Sequence, residues 1–359
     1  MGKSVIVVGA GIIGAAVAYR LSAGGARVML LDGSGIAAGA SGRSFGWINA
    51  SFFVDDAHHA LRVAGLAAWR RLGQDLPGLA LEWKPALWWE EQGAGLDRME
   101  DDLRARGYPV DRLGQSELLR LEPALARAPD TALCFRAEGV AEAARVTRQI
   151  VEAATAQGVR VVLGSEITGL TQHGGRVIGV QTDQGSFEAD EVVLATGVGT
   201  PRLLAELGLI LRLPDRPGLM LRTVPVPPVL HHVLVTPDGE VRQDSAGRLV
   251  LPAAINHQAD QAERLPDRPD RVADSALERL RALLKVEISG WSEATLANRP
   301  VPPDGLPLVG RPGPEGLYLA VLHSGVTLAA LMGEAIAQEV LTSDPVPALA
   351  PYRPEGRMG

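Results

Sequence analysis

The stretch SVIVVGAGIIGAAVAYRLSAGGARVMLLD, residues 4–32, decides the fold. Residues 4–9 form an apolar run that reads as a buried strand, 12–23 read as a helix, and 27–32 as a second strand ending in Asp32. Gly9, Gly11 and Gly14 sit at the first junction. Gly9 permits the tight turn, Gly11 lets the backbone approach a pyrophosphate, and Gly14 lets the helix pack close to the sheet. The helix N-terminus then offers free N–H groups to phosphates. Asp32 is placed to accept both ribose hydroxyls and to repel a 2′-phosphate, which disfavours NADP. Three glycines alone are weak evidence. In register with strand, helix, strand and terminal acid they indicate a dinucleotide seat.

Composition sets outer bounds. The chain has 359 residues, suiting two domains or one large one, and 46% hydrophobic with 21% charged residues makes it globular. Net charge is −7 with no basic patch, which argues against nucleic acid as a partner. Cys134 stands alone, excluding a disulfide framework and a cysteine metal cluster and suiting a reducing compartment. The pairs His58-His59 and His231-His232 lack a third ligand at a recognisable spacing, so they read as surface or sheet residues and no metal is expected. The segment from Gly316 to Gly333 carries no Asp, Glu, Lys or Arg. His323, Ser324 and Gly325 divide it into a strand and a helix start, so no transmembrane span is expected. With the first strand opening at Ser4 there is no room for a signal peptide, and a cytoplasmic location is expected.

Downstream, Asp55 or Asp56 is expected to cap a helix through Arg71. Trp83, Trp88 and Trp89 fall in a strand-like segment, and Leu103 to Leu121 reads as helical in pieces. A helix from Val146 to Gln157 precedes a strand at 159–163, two strands around His173-Gly174-Gly175, a hairpin at Asp183-Gln184-Gly185 and a buried strand ending in LATG. Residues 210–255 read as an antiparallel sheet, Val272 to Leu284 as a helix and 291–311 as proline-rich and irregular. A strand at 317–322 and a helix from Val326 to Leu341 close the chain. The expected class is α/β with α+β character: a Rossmann-like domain of the glutathione-reductase type, interleaved with an antiparallel-sheet substrate domain. The expected division is 1–82, 138–206 and 297–346 for the nucleotide domain, 83–137 and 207–296 for the substrate domain, and 347–359 as a tail.

Three later segments favour FAD over NAD: GASGRSFGWIN (39–49), EVVLATG (191–197) and LHSGVTLAA (322–330). Each brings a small-residue turn back towards the ligand, and the last ends in a helix start able to face negative charge on a reduced flavin.

These segments carry a resemblance. VIVVGAGIIG, ASGRSFG, AEGVAEAARVTRQIVEAATAQGV, EVVLATGVG, RPVPPDGLPLVG and LHSGVTLAALMGEAIA are similar to the D-amino acid oxidase superfamily of flavoproteins, over nearly the whole chain. EVRQDSAGRLVL looks like the β-subunit of heterotetrameric sarcosine oxidase and its bacterial imino-acid dehydrogenase relatives. The resemblance implies noncovalent FAD, because no cysteine lies shortly before the final strand, where monomeric sarcosine oxidase attaches its flavin. It assigns FAD contacts to Gly9, Gly11, Ile12, Ile13, Gly14, Asp32, Gly33, Ser41, Gly42, Arg43, Ser44, Ile167, Thr196, Gly197, Ser324, Gly325, Val326 and Thr327. It also implies oxidation of the Cα–N bond of a small α-amino or imino acid, with oxygen, another electron carrier or a partner subunit taking the electrons.

On that reading Arg299, at the head of RPVPPDG, grips the substrate carboxylate in bidentate geometry; the competing reading ties it to a structural acid such as Asp304. His323 either faces flavin or substrate or caps the strand end. Gln243 either faces the active site or is a surface strand residue. Phe45 and Trp47 pack beside the ring or fill core, and Cys134 reads as core. Two other functions stay open: a 2-hydroxy acid dehydrogenase with His323 as base, and a flavin-bearing subunit with little activity alone.

Overall fold

The strand that opens the chain, Ser4–Val8, lies at the centre of a six-stranded sheet and is buried on both faces. Val5 and Val7 enter the core beneath the helices, while Ile6 and Val8 enter a second core on the opposite side. That division explains why its sequence is a continuous apolar run instead of an alternating one. In spatial order the sheet contains Leu308–Gly310, Leu317–Val321, Glu191–Leu194, Ser4–Val8, Arg27–Asp32 and Arg160–Leu163. All pairings are parallel except the first, which is antiparallel. The computed structural model describes residues 2–258 and 260–358.

Helices Ile12–Ala23, Ala143–Ala156 and Gly325–Thr342 cover one face. A three-stranded antiparallel sheet, Ile167–His173, Arg176–Thr182 and Gly185–Glu188, covers the other. Gly14 is fixed by packing: a Cβ there would meet the Gly9 carbonyl oxygen at 1.8 Å. Gly9 itself has φ +106°, a conformation that a side chain would strain.

The second large sheet has eight strands: Trp291–Asn298, Pro217–Thr223, Leu249–Pro252, Gly239–Gln243, Val233–Thr236, Ala86–Trp88, Thr131–Phe135 and Val110–Gly114. Its pairings are antiparallel apart from that of Val233–Thr236 with Ala86–Trp88. One face packs on helix Pro269–Leu283 through Leu219, Leu221, Val241, Leu249 and Leu251. The other carries Met220, Val235, Val250 and Phe135 into the same core as the helices of the first domain. The strands of the two sheets come from alternating segments, so the chain crosses between them repeatedly.

Three expectations need correction. Residues 291–298 form a full strand; its half-exposed, polar sequence hides the pairing, and the prolines begin only at Pro300. Val110–Gly114 is a strand between the helices Ala94–Ala105 and Gln115–Leu121. His58 and His59 are neither surface nor sheet: both are buried on helix Asp56–Asp75. Asp55 caps that helix, its carboxylate accepting from the His58 N–H at 2.7 Å. Cys134 is buried in a strand, where desolvation pushes its thiol up to about 11. Among the described residues no helix is long and apolar enough to cross a membrane.

Candidate active site

One cavity runs between the domains, from the end of the Arg27–Asp32 strand to the Pro217–Thr223 strand of the eight-stranded sheet. Its first end is rich in glycine and small residues. Gly9, Gly11, Ile12, Ile13, Asp32, Ser41, Arg43 and Ser44 line it. Helix Ile12–Ala23 begins there with no side-chain cap from Gly11. The Ile12 N–H donates to Ser41 Oγ at 3.0 Å, leaving the following N–H groups of the first turn facing the opening. Asp32 accepts from the Ala10 N–H at 2.8 Å with one oxygen and from Ser34 and Gly35 with the other, at 2.7 and 2.8 Å. A carboxylate has about four acceptor positions, so capacity for a ribose hydroxyl remains. Arg43 turns back on its own loop, donating to the carbonyls of Ala38 and Gly39.

The middle of the cavity is lined by Thr196, Gly197, Phe45 and Trp47. The N-terminus of helix Gly325–Thr342 opens onto it, again without a side-chain cap: Ser324 sits in left-handed backbone (φ +58°), and its hydroxyl instead accepts from Arg62. The indole N–H of Trp47 is buried and has no acceptor. Two uncapped helix starts and an orphaned donor along one elongated cleft suit a ligand with a pyrophosphate and a polar ring. The residues present therefore fit FAD.

The far end is built of side chains. Arg299 is 8% exposed. Its Nη1 donates to the His257 carbonyl at 3.1 Å, and its Nη2 to the Asp260 carbonyl at 2.8 Å and to Asp260 Oδ2 at 3.1 Å. The structural acid is thus Asp260; Asp304 pairs with Arg357 instead. His257, Gln258, Met220 and Ala297 complete this end. His323 lines the cavity rather than merely ending its strand. Burial, then the charge of Arg299, pushes His323 down to about 3 and His257 to about 4. Both imidazoles are neutral at ordinary pH. Behind them, burial raises Glu240 to about 8, and Gln258 reaches it at 3.5 Å.

Five of the residues read as contacts do not line the cavity. Gly14 supports Gly9 from beneath, Gly33 packs on Glu166, and Gly42 lies against the Ala37 carbonyl. Ile167 is buried in the small sheet, its carbonyl accepting from Arg202. Gln243 is 6% exposed, but strand alternation turns it to the opposite face from Arg242. Its Oε1 accepts from the N–H groups of Val229 and Leu230, and its Nε2 donates to the carbonyls of Val226, Pro227 and Gly247. It is a brace inside the substrate domain.

Sequence reading missed Asn49, Arg62, Met220 and His257, all of which line the cavity. Arg62 left a trace. It shares a stripe with Gly65, Leu66 and Trp69 on the buried face of its helix, where a charge is out of place. His257 left none, because a loop residue has no periodicity.

The chain matches the family model described as "DAO: FAD dependent oxidoreductase" over residues 4–339. It is 27% identical to the glycine oxidase of Pseudomonas putida over 381 aligned positions, covering 100% of both chains. A D-amino acid dehydrogenase of Cereibacter sphaeroides is 32% identical over 240 positions, 64% of this chain and 53% of that protein. The crystal structure of glycine oxidase from Geobacillus kaustophilus superposes with a TM-score of 0.85 at 25% identity, covering 99% of each chain.

Proposed function

The chain belongs to the DAO family of FAD-dependent oxidoreductases, and from that premise we propose that it oxidises the Cα–N bond of a small α-amino or imino acid. One observation carries this reading: the cavity that suits FAD ends on a buried arginine flanked by two neutral histidines. When bound, FAD supplies the hydride acceptor.

Arg299 offers a planar fork for the substrate carboxylate, which would compete there with Asp260 Oδ2 and with the Arg216, His257 and Asp260 carbonyls that now accept from it. Holding the carboxylate fixes the α-carbon relative to the ring binding region. The cationic field of Arg299 and Arg62 disfavours a bound ammonium and so favours the neutral amine from which hydride leaves. His257 and His323 add no further charge and orient the amine by hydrogen bonds. A hydroxy acid would need a base for its hydroxyl proton. An imidazole held at about 3 is a poor one, which argues for amines over alcohols. The glycine oxidase and D-amino acid dehydrogenase likenesses support the same substrate class.

Anaerobic absorbance titration of the FAD-loaded protein tests this directly. Addition of glycine, sarcosine, proline isomers or D-amino acids should bleach the visible flavin band with at least one of them, while 2-hydroxy acids leave it intact. Bleaching by a hydroxy acid alone would overturn the amine reading. Admitting air afterwards distinguishes oxygen from another acceptor.

A further inference from the structure

Arg62 is the least expected group in the cavity wall. It sits in the second turn of helix Asp56–Asp75, faces inward, and is 3% exposed. All its acceptors are neutral. Nε donates to the Asn49 carbonyl at 3.1 Å, Nη2 to Asn49 Oδ1, and Nη1 to Ser324 Oγ at 2.5 Å. Among the described residues it forms no ion pair. The acid whose field reaches it is Glu138, which binds the N–H groups of Ala50 and Ser51 and the Tyr108 hydroxyl instead. Burial raises that carboxyl to about 7, so Glu138 is an incomplete counter-charge at neutral pH.

A buried cation without a paired anion is costly unless an anion arrives. The position of Arg62 suggests which. The pyrophosphate seat is at Gly9 and Gly11, and the ribose position at Asp32, so the ring of the dinucleotide extends towards Asn49, Ser324 and Arg299. Arg62 lines the cavity in that half, bonded to the residue at the uncapped start of helix Gly325–Thr342. Hydride transfer moves two electrons and one proton from the substrate Cα to the ring. The substrate leaves as an iminium cation, and one net negative charge stays at the ring.

We propose that Arg62 is a fixed electrostatic positioning residue for the flavin ring: its unpaired charge, added to the helix start, stabilises the negative charge acquired on reduction and sets the reduction potential. The alternative role is a strut, since the same fork ties the segment after Trp47–Ile48 to the final helix. The inference rests on FAD binding and not on the choice of substrate.

Two substitutions separate charge from strut. Arg62→Gln retains hydrogen bonding and loses the cation; Arg62→Lys retains the cation and loses the fork. The midpoint potential of the FAD-loaded protein is measured by equilibration with redox dyes, so no substrate is needed. Arg62→Gln should lower the two-electron reduction equilibrium at least tenfold, about 30 mV, with Arg62→Lys close to wild type. An unchanged potential in a folded, FAD-loaded Arg62→Gln protein would overturn the proposal, as would equal losses in both variants. Should Arg62→Gln fail to fold, Glu138→Gln decides. At a pH above the titration of Glu138 it removes an opposing negative field and should raise the potential; no change or a fall counts against the proposal. A shifted potential in a protein whose flavin no amine reduces would instead overturn the amino acid reading and leave this proposal standing.

Discussion

The two ends of the cavity are made by different means. At the Asp32 end the turns of the 9–44 region are held by bonds from backbone N–H groups to the Asp32 and Ser41 side chains. The Arg299 end draws on the 49–62, 218–220, 257–258, 297–300 and 322–327 regions, brought together only by the folded domains. On the proposed reading, chain geometry would bind the ligand's common part and residue identity its variable part. Substitutions should break the first end through shape and the second through charge.

The largest effect belongs to shape. Gly14→Val forces a side chain into the Gly9 carbonyl, and the variant should lose both FAD and the folded state, seen as absent flavin absorbance and a lost cooperative thermal transition. Retention of FAD would break the contrast between the ends. Next comes charge at the far end. Arg299→Gln should keep its FAD and lower kcat/KM by about 100-fold, as expected for truncating one partner of a buried charge pair, with most of the loss in KM. A smaller change sharpens the contrast in the opposite direction. On the proposed reading Asp260 competes with the substrate carboxylate for Arg299, so Asp260→Asn should lower KM severalfold in steady-state assays. A raised KM would mean that Asp260 positions the arginine rather than competes for it.

The remaining effect is on the pH dependence of stability, not on catalysis. Glu240 is raised to about 8 in the folded state, so the folded protein holds this proton where the unfolded chain has lost it. Its stabilising contribution is complete below the ordinary carboxylate range and is lost as pH rises through about 8, with a slope of roughly 1.4 kcal/mol per pH unit. Glu240→Gln should flatten that part of a chemical denaturation profile. A profile parallel to wild type would show that Glu240 does not titrate there.

The same contrast explains what could be read in advance. The nucleotide seat was legible because strand, turn, helix and acid lie within residues 4–32, and local sterics dictate each one. That Arg299 lines the cavity was legible because its motif resembled that of a family. His257 was not, and neither was the strand Trp291–Asn298, because both depend on partners distant in sequence: the His257 carbonyl meets Arg299, and the strand pairs with Pro217–Thr223. Gln243 was misread because a residue beside an active-site face differs from one on it only by strand parity.

The order of strands in the six-stranded sheet carries a consequence for biosynthesis. Ser4–Val8 is made before the other strands of this sheet, yet it lies between Arg27–Asp32 and Glu191–Leu194, and the latter in turn awaits Leu317–Val321. At roughly 5–20 residues per second, translation leaves this apolar strand with one edge unpaired for many seconds. The segment that lines the Asp32 end of the cavity thus stays open on one edge while more than half of the chain is made.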